Sequence, residues 1–136
     1  VKLLEEVKAI ISKYDLKPII LPKRYKNLYA YFREFPLERV DYRSIKDDDY
    51  FCDKYAPHIP EGWYGFAIGS PIILGWMEIL DEILELCIKT DPKFEIYQIK
   101  MKYGGIRFYT GSHTIEDIGD IESIIEDTLY NKALIY

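Results

Sequence analysis

At 136 residues, with 49% hydrophobic, 15% aromatic and 30% charged side chains, the chain has the length and apolar mass of one globular domain, 1–136; disorder is excluded, and two independent cores would each be marginal. Eighteen basic against 23 acidic residues give a formal charge of -5, which argues against extended nucleic-acid binding and against an anionic membrane surface. Cys52 and Cys87 are too few for a disulfide framework and lack a zinc spacing, the N-terminal Val-Lys-Leu-Leu-Glu-Glu is no signal-peptide core, and no apolar run reaches the roughly 18 residues of a membrane span, so a reduced, cytoplasmic setting is expected.

Leu3, Leu4, Val7, Ile10 and Ile11 fall on one side of a 3.6-residue repeat and predict a helix over 2–14. Pro18 and Pro22 bracket Ile19-Ile20-Leu21, a loop or short strand. Tyr25, Leu28, Tyr29, Phe32 and Phe35 repeat the helical spacing and predict a second helix ending before Pro36. Residues 36–62, with Pro36, Pro57, Pro60 and Asp47-Asp48-Asp49, hold no sustained period and read as a long irregular segment tied down by Tyr42, Tyr50, Phe51 and Tyr55. A short strand over Trp63–Ile68 follows.

Ser70-Pro71 has the chemistry of a helix start, a hydroxyl cap before a proline at the first helical position. The helix it opens carries Trp76, Ile79, Leu80, Ile83, Leu84 and Cys87 on its apolar face and Glu78, Asp81, Glu82 and Glu85 on a solvated one, and stops at Asp91-Pro92. Phe94 to Lys102 and Ile106 to Thr110 flank Gly104-Gly105 and predict a β-hairpin, about 94–110. Thr114-Ile-Glu-Asp117 reads as a capping box opening a last helix to about 130, with Ile115, Ile118, Ile121, Ile124, Ile125 and Leu129 as its buried stripe. The expected fold is a single α+β domain, helices packed on a small antiparallel sheet that contains the hairpin.

Charge is distributed unevenly: net +5 over residues 1–46, -7 over 47–93, +2 over 94–113 and -5 over 114–136. In the hairpin, alternation puts Gln98, Lys100 and Lys102 on one face and Tyr97, Ile99, Met101 and Tyr103 on the other. With Arg107 across from Lys100 or Lys102, three cations gather with few acids nearby, an arrangement that a phosphate would relieve. Thirteen tyrosines are roughly two to three times the ordinary share and suit ligand pockets and interfaces as well as cores. His58 and His113 form no metal or catalytic spacing, and no Walker loop or nucleophile elbow is present, so neither an enzyme, a metal site nor a cofactor is expected.

Gly75-Trp76, followed by Gln98-Ile-Lys-Met-Lys-Tyr-Gly-Gly-Ile-Arg-Phe-Tyr109, resembles a group of small proteins encoded by phages, prophages and bacteria, with a Gly-Trp helix and a Q-[VI]-K-x-K-[FY]-G-x-[LI]-R-F-Y run; the likeness spans roughly residues 62–130. Many of those proteins continue into a cysteine pair resembling a zinc site, which Tyr130–Tyr136 lacks, so metal is not carried over. The resemblance implies a phage or mobile-element setting, hence the cytoplasm of a host cell, and supplies no catalytic residues.

The resulting expectation is a non-enzymatic counter-defence protein that sequesters a phosphate-bearing nucleotide signal, with Lys100, Lys102 and Arg107 on phosphate, Tyr103, Tyr109 or Trp63 stacking on the base, and Gln98 beside them. The alternative is an acidic inhibitor that presents Asp47–Asp49, Glu78, Asp81, Glu82 and Glu85 to a basic groove of a host defence or nucleic-acid-binding protein. A homo-oligomer is compatible with either.

Overall fold

The computed structural model describes residues 3–18, 47–67, 75–102 and 105–133. The helix expected before Pro36, Ile19–Leu21, the Ser70-Pro71 cap and Tyr103 lie outside them.

Helix α1 (Leu3–Ser12) buries Leu3, Val7 and Ile11, the stripe its spacing predicts, and leads to the short strand β1 (Lys17–Pro18). The irregular segment expected over 36–62 instead contains helix α2 (Asp47–Tyr55), followed by a 3-10 turn at Ala56–His58. Phe51 and Tyr55, one helical turn apart, are the fully buried anchors of α2, with Phe51 stacked on Phe66 at 4.8 Å between ring centres and Cys52 packed partly buried beside them. Two apolar anchors make no visible period, and so short a helix persists through tertiary packing rather than through propensity.

Strand β2 (Gly65–Ala67) precedes helix α3 (Met77–Thr90). The described part of α3 starts after Trp76, which occupies the N-cap position and is wholly buried, together with Ile79, Leu80, Ile83, Leu84 and Cys87. The predicted hairpin forms, from β3 (Glu95–Lys102) and β4 (Gly105–Gly111), but Gly105, expected in the turn, is the first residue of β4 and pairs with Lys102. Strand β2 pairs with β3 in parallel, so the three-stranded sheet, order β2-β3-β4, is mixed rather than antiparallel as expected, and the domain is α+β.

Helix α4 (Ile118–Leu129) starts later than the capping box predicts. Ser112, not Thr114, organises its approach: the Ser112 hydroxyl accepts the N–H groups of Thr114 and Ile115 at 3.2 and 3.0 Å and donates to Asp91 at 2.5 Å. Asp117 at the N-cap accepts the Leu4 N–H, tying α1 to α4. Beyond α4, Asn131 turns the chain with a left-handed φ of 52° into β5 (Lys132–Ala133), which pairs antiparallel with β1 and whose Lys132 carbonyl accepts the indole N–H of Trp76.

One core joins these elements, with Phe66, Ile99, Ile106 and Phe108 of the sheet's inner face meeting Ile79, Ile83, Ile121, Ile125 and Leu129 of the helices. Along the outer edge of the sheet, α4 does a second job. Glu126 accepts the Phe108 N–H at 3.1 Å and Glu122 the Thr110 N–H at 2.8 Å, so the outward backbone donors of edge strand β4 are satisfied by carboxylates one helical turn apart.

Carboxylates with opposite shifts set the response to acid. Burial works against ionised Asp81 and Glu82, but bonds from Tyr50, Tyr55 and Lys54 to the first, and from Lys13 and Tyr14 to the second, hold both below their ordinary values. The Ser112 hydroxyl and Lys93 N–H hold Asp91 low as well. A folded value below the unfolded one gives stability that is complete above the ordinary carboxylate range and is lost as pH falls through the folded values. Glu122 has the other sign: burial raises it, so its ionised form carries a penalty that is relieved as pH falls toward its ordinary 4.5. Denaturant unfolding should therefore show stability level or slightly rising down to about pH 5 and falling below about pH 4. Asp81→Asn is expected to shrink the fall and Glu122→Gln to remove the rise; stability that climbs steadily into acid would contradict the Asp81 assignment, and a Glu122→Gln profile identical to the wild type would contradict the Glu122 one.

Candidate functional site

Among the described residues the helices pack on the inner face of the sheet, and the outer face carries the polar and aromatic residues of the hairpin. Strict alternation predicts Tyr97 on the inner face with Ile99, but the register slips between Ile96 and Gln98, where Ile96 pairs with Thr110 and Gln98 with Tyr109. One extra residue on β3 is a β-bulge, which lets Ile96 and Ile99 both reach the core and turns Tyr97 outward. Tyr97 packs on Trp63, 4.9 Å between ring centres, and its hydroxyl bonds Glu95 at 3.2 Å. Burial and Glu95 both raise its pKa and keep the phenol neutral.

Two glycines of β4 make room for rings lying on the sheet. A Cβ at Gly111 would collide with the Tyr97 ring, and one at Gly105 would sit 3.0 Å from Cδ2 of Tyr130. Glycine in a strand marks a place where something approaches the backbone closely, and here the approaching groups are aromatic.

Between these rings lies the polar strip. Lys100 is directly opposite Arg107 and beside Ala67; Gln98 is opposite Tyr109 and beside Gly65; Lys102 pairs with Gly105. Lys100, Arg107 and Gln98 are half-buried and Lys102 is exposed, whereas Trp63, Tyr109 and Tyr130 remain 52%, 45% and 56% exposed. Of the residues the sequence singles out, Gln98, Lys100, Lys102, Arg107, Tyr109 and Trp63 thus sit on or beside one face, and Tyr103 lies outside the described residues.

The expectation of cations without acidic neighbours needs correction at Arg107, whose Nη1 lies 3.7 Å from Glu126. Glu126 comes from α4, which flanks the edge of β4, a neighbourhood that strand alternation alone does not reveal. Among the described residues Lys100 makes no ion pair. Tyr97 and Tyr130 were not among the predicted site residues: the bulge hides the first, and the second follows a helix remote in sequence. The glycines at 105 and 111 are the signals that point to them.

The acids of α3, predicted to form a solvated face, are largely engaged within the chain. Lys54 bonds Asp81 at 2.9 Å and also Glu85, Tyr50 and Tyr55 donate to Asp81, and Lys13 and Tyr14 hold Glu82. Burial opposes the charge on Lys54, but its bonds to Glu85, Asp81 and Tyr50 outweigh it and raise its pKa. Burial, then Asp81, raises Tyr55 far above the ordinary phenol range.

Two further reactive groups, Cys87 and His58, have structural settings. Burial pushes the Cys87 thiol up to about 12, leaving it unreactive, and His58 Nδ1 lies 2.9 Å from the Phe94 carbonyl. A cavity of about 350 Å³ near the start of α4 is lined by Leu3, Thr90, Ile115, Glu116, Asp117 and Asp120, an acidic wall that repels anions. Among the described residues no three metal-ligating side chains converge, and no helix is long and apolar enough to cross a membrane. None of the known protein families, curated proteins or solved structures compared with this chain matches it.

Proposed function

We propose that the protein is a non-enzymatic binding protein that holds a phosphate-bearing nucleotide on the open face of its three-stranded sheet. The observation that carries this reading is the direct cross-strand pairing of Lys100 with Arg107, flanked by exposed aromatic rings. Like charges facing each other on a sheet cost stability, and a phosphate between them turns that cost into two charge-assisted hydrogen bonds. Glu126 touches Arg107 through one nitrogen at 3.7 Å, which orients the guanidinium and leaves other donors for a ligand. Tyr109 and the Trp63–Tyr97 pair offer faces on which a base can stack. The internal bonding of Asp81, Glu82 and Glu85 weighs against the alternative in which they are presented to a basic partner. In the phage or mobile-element setting that the family resemblance implies, such a protein would withdraw a nucleotide signal from host defence without altering it.

Calorimetry with nucleosides and their phosphates tests the reading at about 100 μM, where any ligand bound by more than about 5.5 kcal/mol registers. AMP is expected to bind about 10-fold or more tightly than adenosine, since each charge-assisted bond is worth about 1.5–3 kcal/mol. Equal binding of adenosine and AMP, or no binding of any nucleotide in the panel, would remove the proposal.

A further inference from the structure

Resting on that reading, the geometry points to a ligand with two nucleobases joined through one bridging phosphate rather than a mononucleotide. Along β4, the outward positions are 105, 107, 109 and 111, each about 7 Å from the next. Position 105 is a glycine beneath Tyr130; position 107 is Arg107, facing Lys100; position 109 is Tyr109, facing Gln98; position 111 is a glycine beneath Tyr97, which carries Trp63. The order across the face is therefore aromatic, cationic, aromatic, aromatic, with the cation pair between two stacking stations.

A mononucleotide engages the cation pair and one station only. A dinucleoside monophosphate places its phosphodiester at Lys100 and Arg107 while one base turns to Tyr130 and the other to Tyr109 and Trp63. The splay this requires, about 14 Å from position 105 to position 109, opens the ligand rather than stacking its bases on each other. Tyr130 and Trp63 are more than half exposed, so each has an open ring face to offer. Gln98, between Gly65 and Tyr109, lies where it can bond the edge of the base stacked at Tyr109.

The test compares ApA with AMP by calorimetry on the wild-type protein, on Tyr130→Ala and on Gly105→Ala, whose added methyl displaces the Tyr130 ring without deleting it. The wild type is expected to bind ApA about 10-fold more tightly than AMP, Tyr130→Ala to bring that ratio close to one, and Gly105→Ala, which shifts the ring slightly, to lower it in part. Tyr130 is exposed and its truncation leaves the core untouched; an unchanged melting temperature confirms that each variant is folded. Equal affinity of the wild type for ApA and AMP, or a preference for ApA that survives both variants, would overturn the two-base assignment and leave the nucleotide-binding reading standing. Failure of both ligands to bind would overturn the nucleotide-binding reading and this assignment with it.

Discussion

Trp76→Ala is expected to destabilise the protein by about 3–5 kcal/mol and to lower its melting temperature by roughly 10–20 °C. Trp76 is fully buried, and it does two things at once. Its ring fills the core just ahead of α3, and its indole N–H reaches the Lys132 carbonyl at 2.5 Å, 56 residues away in the chain, so it also ties down the C-terminal strand β5. Alanine leaves a cavity and an unpaired carbonyl together. Trp76→Phe separates the two contributions: it keeps most of the volume, loses the hydrogen bond, and should cost only about 1–3 kcal/mol. Trp63→Ala, at a site 52% exposed, should move the melting temperature little. Thermal melts of the three variants check this, and a Trp76→Ala protein that melts with the wild type would contradict the assigned core.

Lys100→Glu carries the second large effect, on binding, and pairs it with an opposite effect on stability. Replacing a phosphate-facing cation by an anion removes one charge-assisted bond and adds a repulsion, so nucleotide affinity should fall about 100-fold or more. The same change turns the Lys100–Arg107 pair from like to opposite charges directly across the ladder, which should raise stability by up to about 1 kcal/mol. A residue retained only for solvation would not trade binding against stability in this way. Calorimetry and denaturant unfolding on the one variant read both quantities; retained affinity would remove Lys100 from the site, and a loss of stability would show that its partner is a carboxylate rather than Arg107.

The parts of the fold legible in the sequence are those in which a single periodicity decides the structure. Ile79, Leu80, Ile83, Leu84 and Cys87 recur over three turns and bury as predicted, and the diglycine between two β-rich runs marks the hairpin. Helix α2 is not legible, because two anchors, Phe51 and Tyr55, leave no repeat to count. The α4 start is displaced because Ser112, braced by Asp91 from the far end of α3, takes the backbone donors that a Thr114 cap would have taken. That competition depends on residues 21 apart and is settled only in three dimensions.

The same division holds for the candidate site. The face shared by Gln98, Lys100 and Lys102 follows from alternation, and the register adds Arg107 and Tyr109 to it. The outward turn of Tyr97 does not follow, because a bulge needs no glycine or proline and leaves no mark in the pattern. Nor does the Arg107–Glu126 contact, which exists because α4 closes the edge of β4 with two carboxylates.

Two tryptophans in contrasting places make the central claim directly measurable. In a titration of isotopically labelled protein with AMP followed by NMR, the indole N–H of Trp63 and the amides of Gln98, Lys100, Arg107 and Tyr109 are predicted to shift, while the buried Trp76 indole stays fixed as an internal reference. Spectra unchanged at millimolar nucleotide, or shifts gathered around the acids of α3 or the cavity at the start of α4 instead, would contradict it.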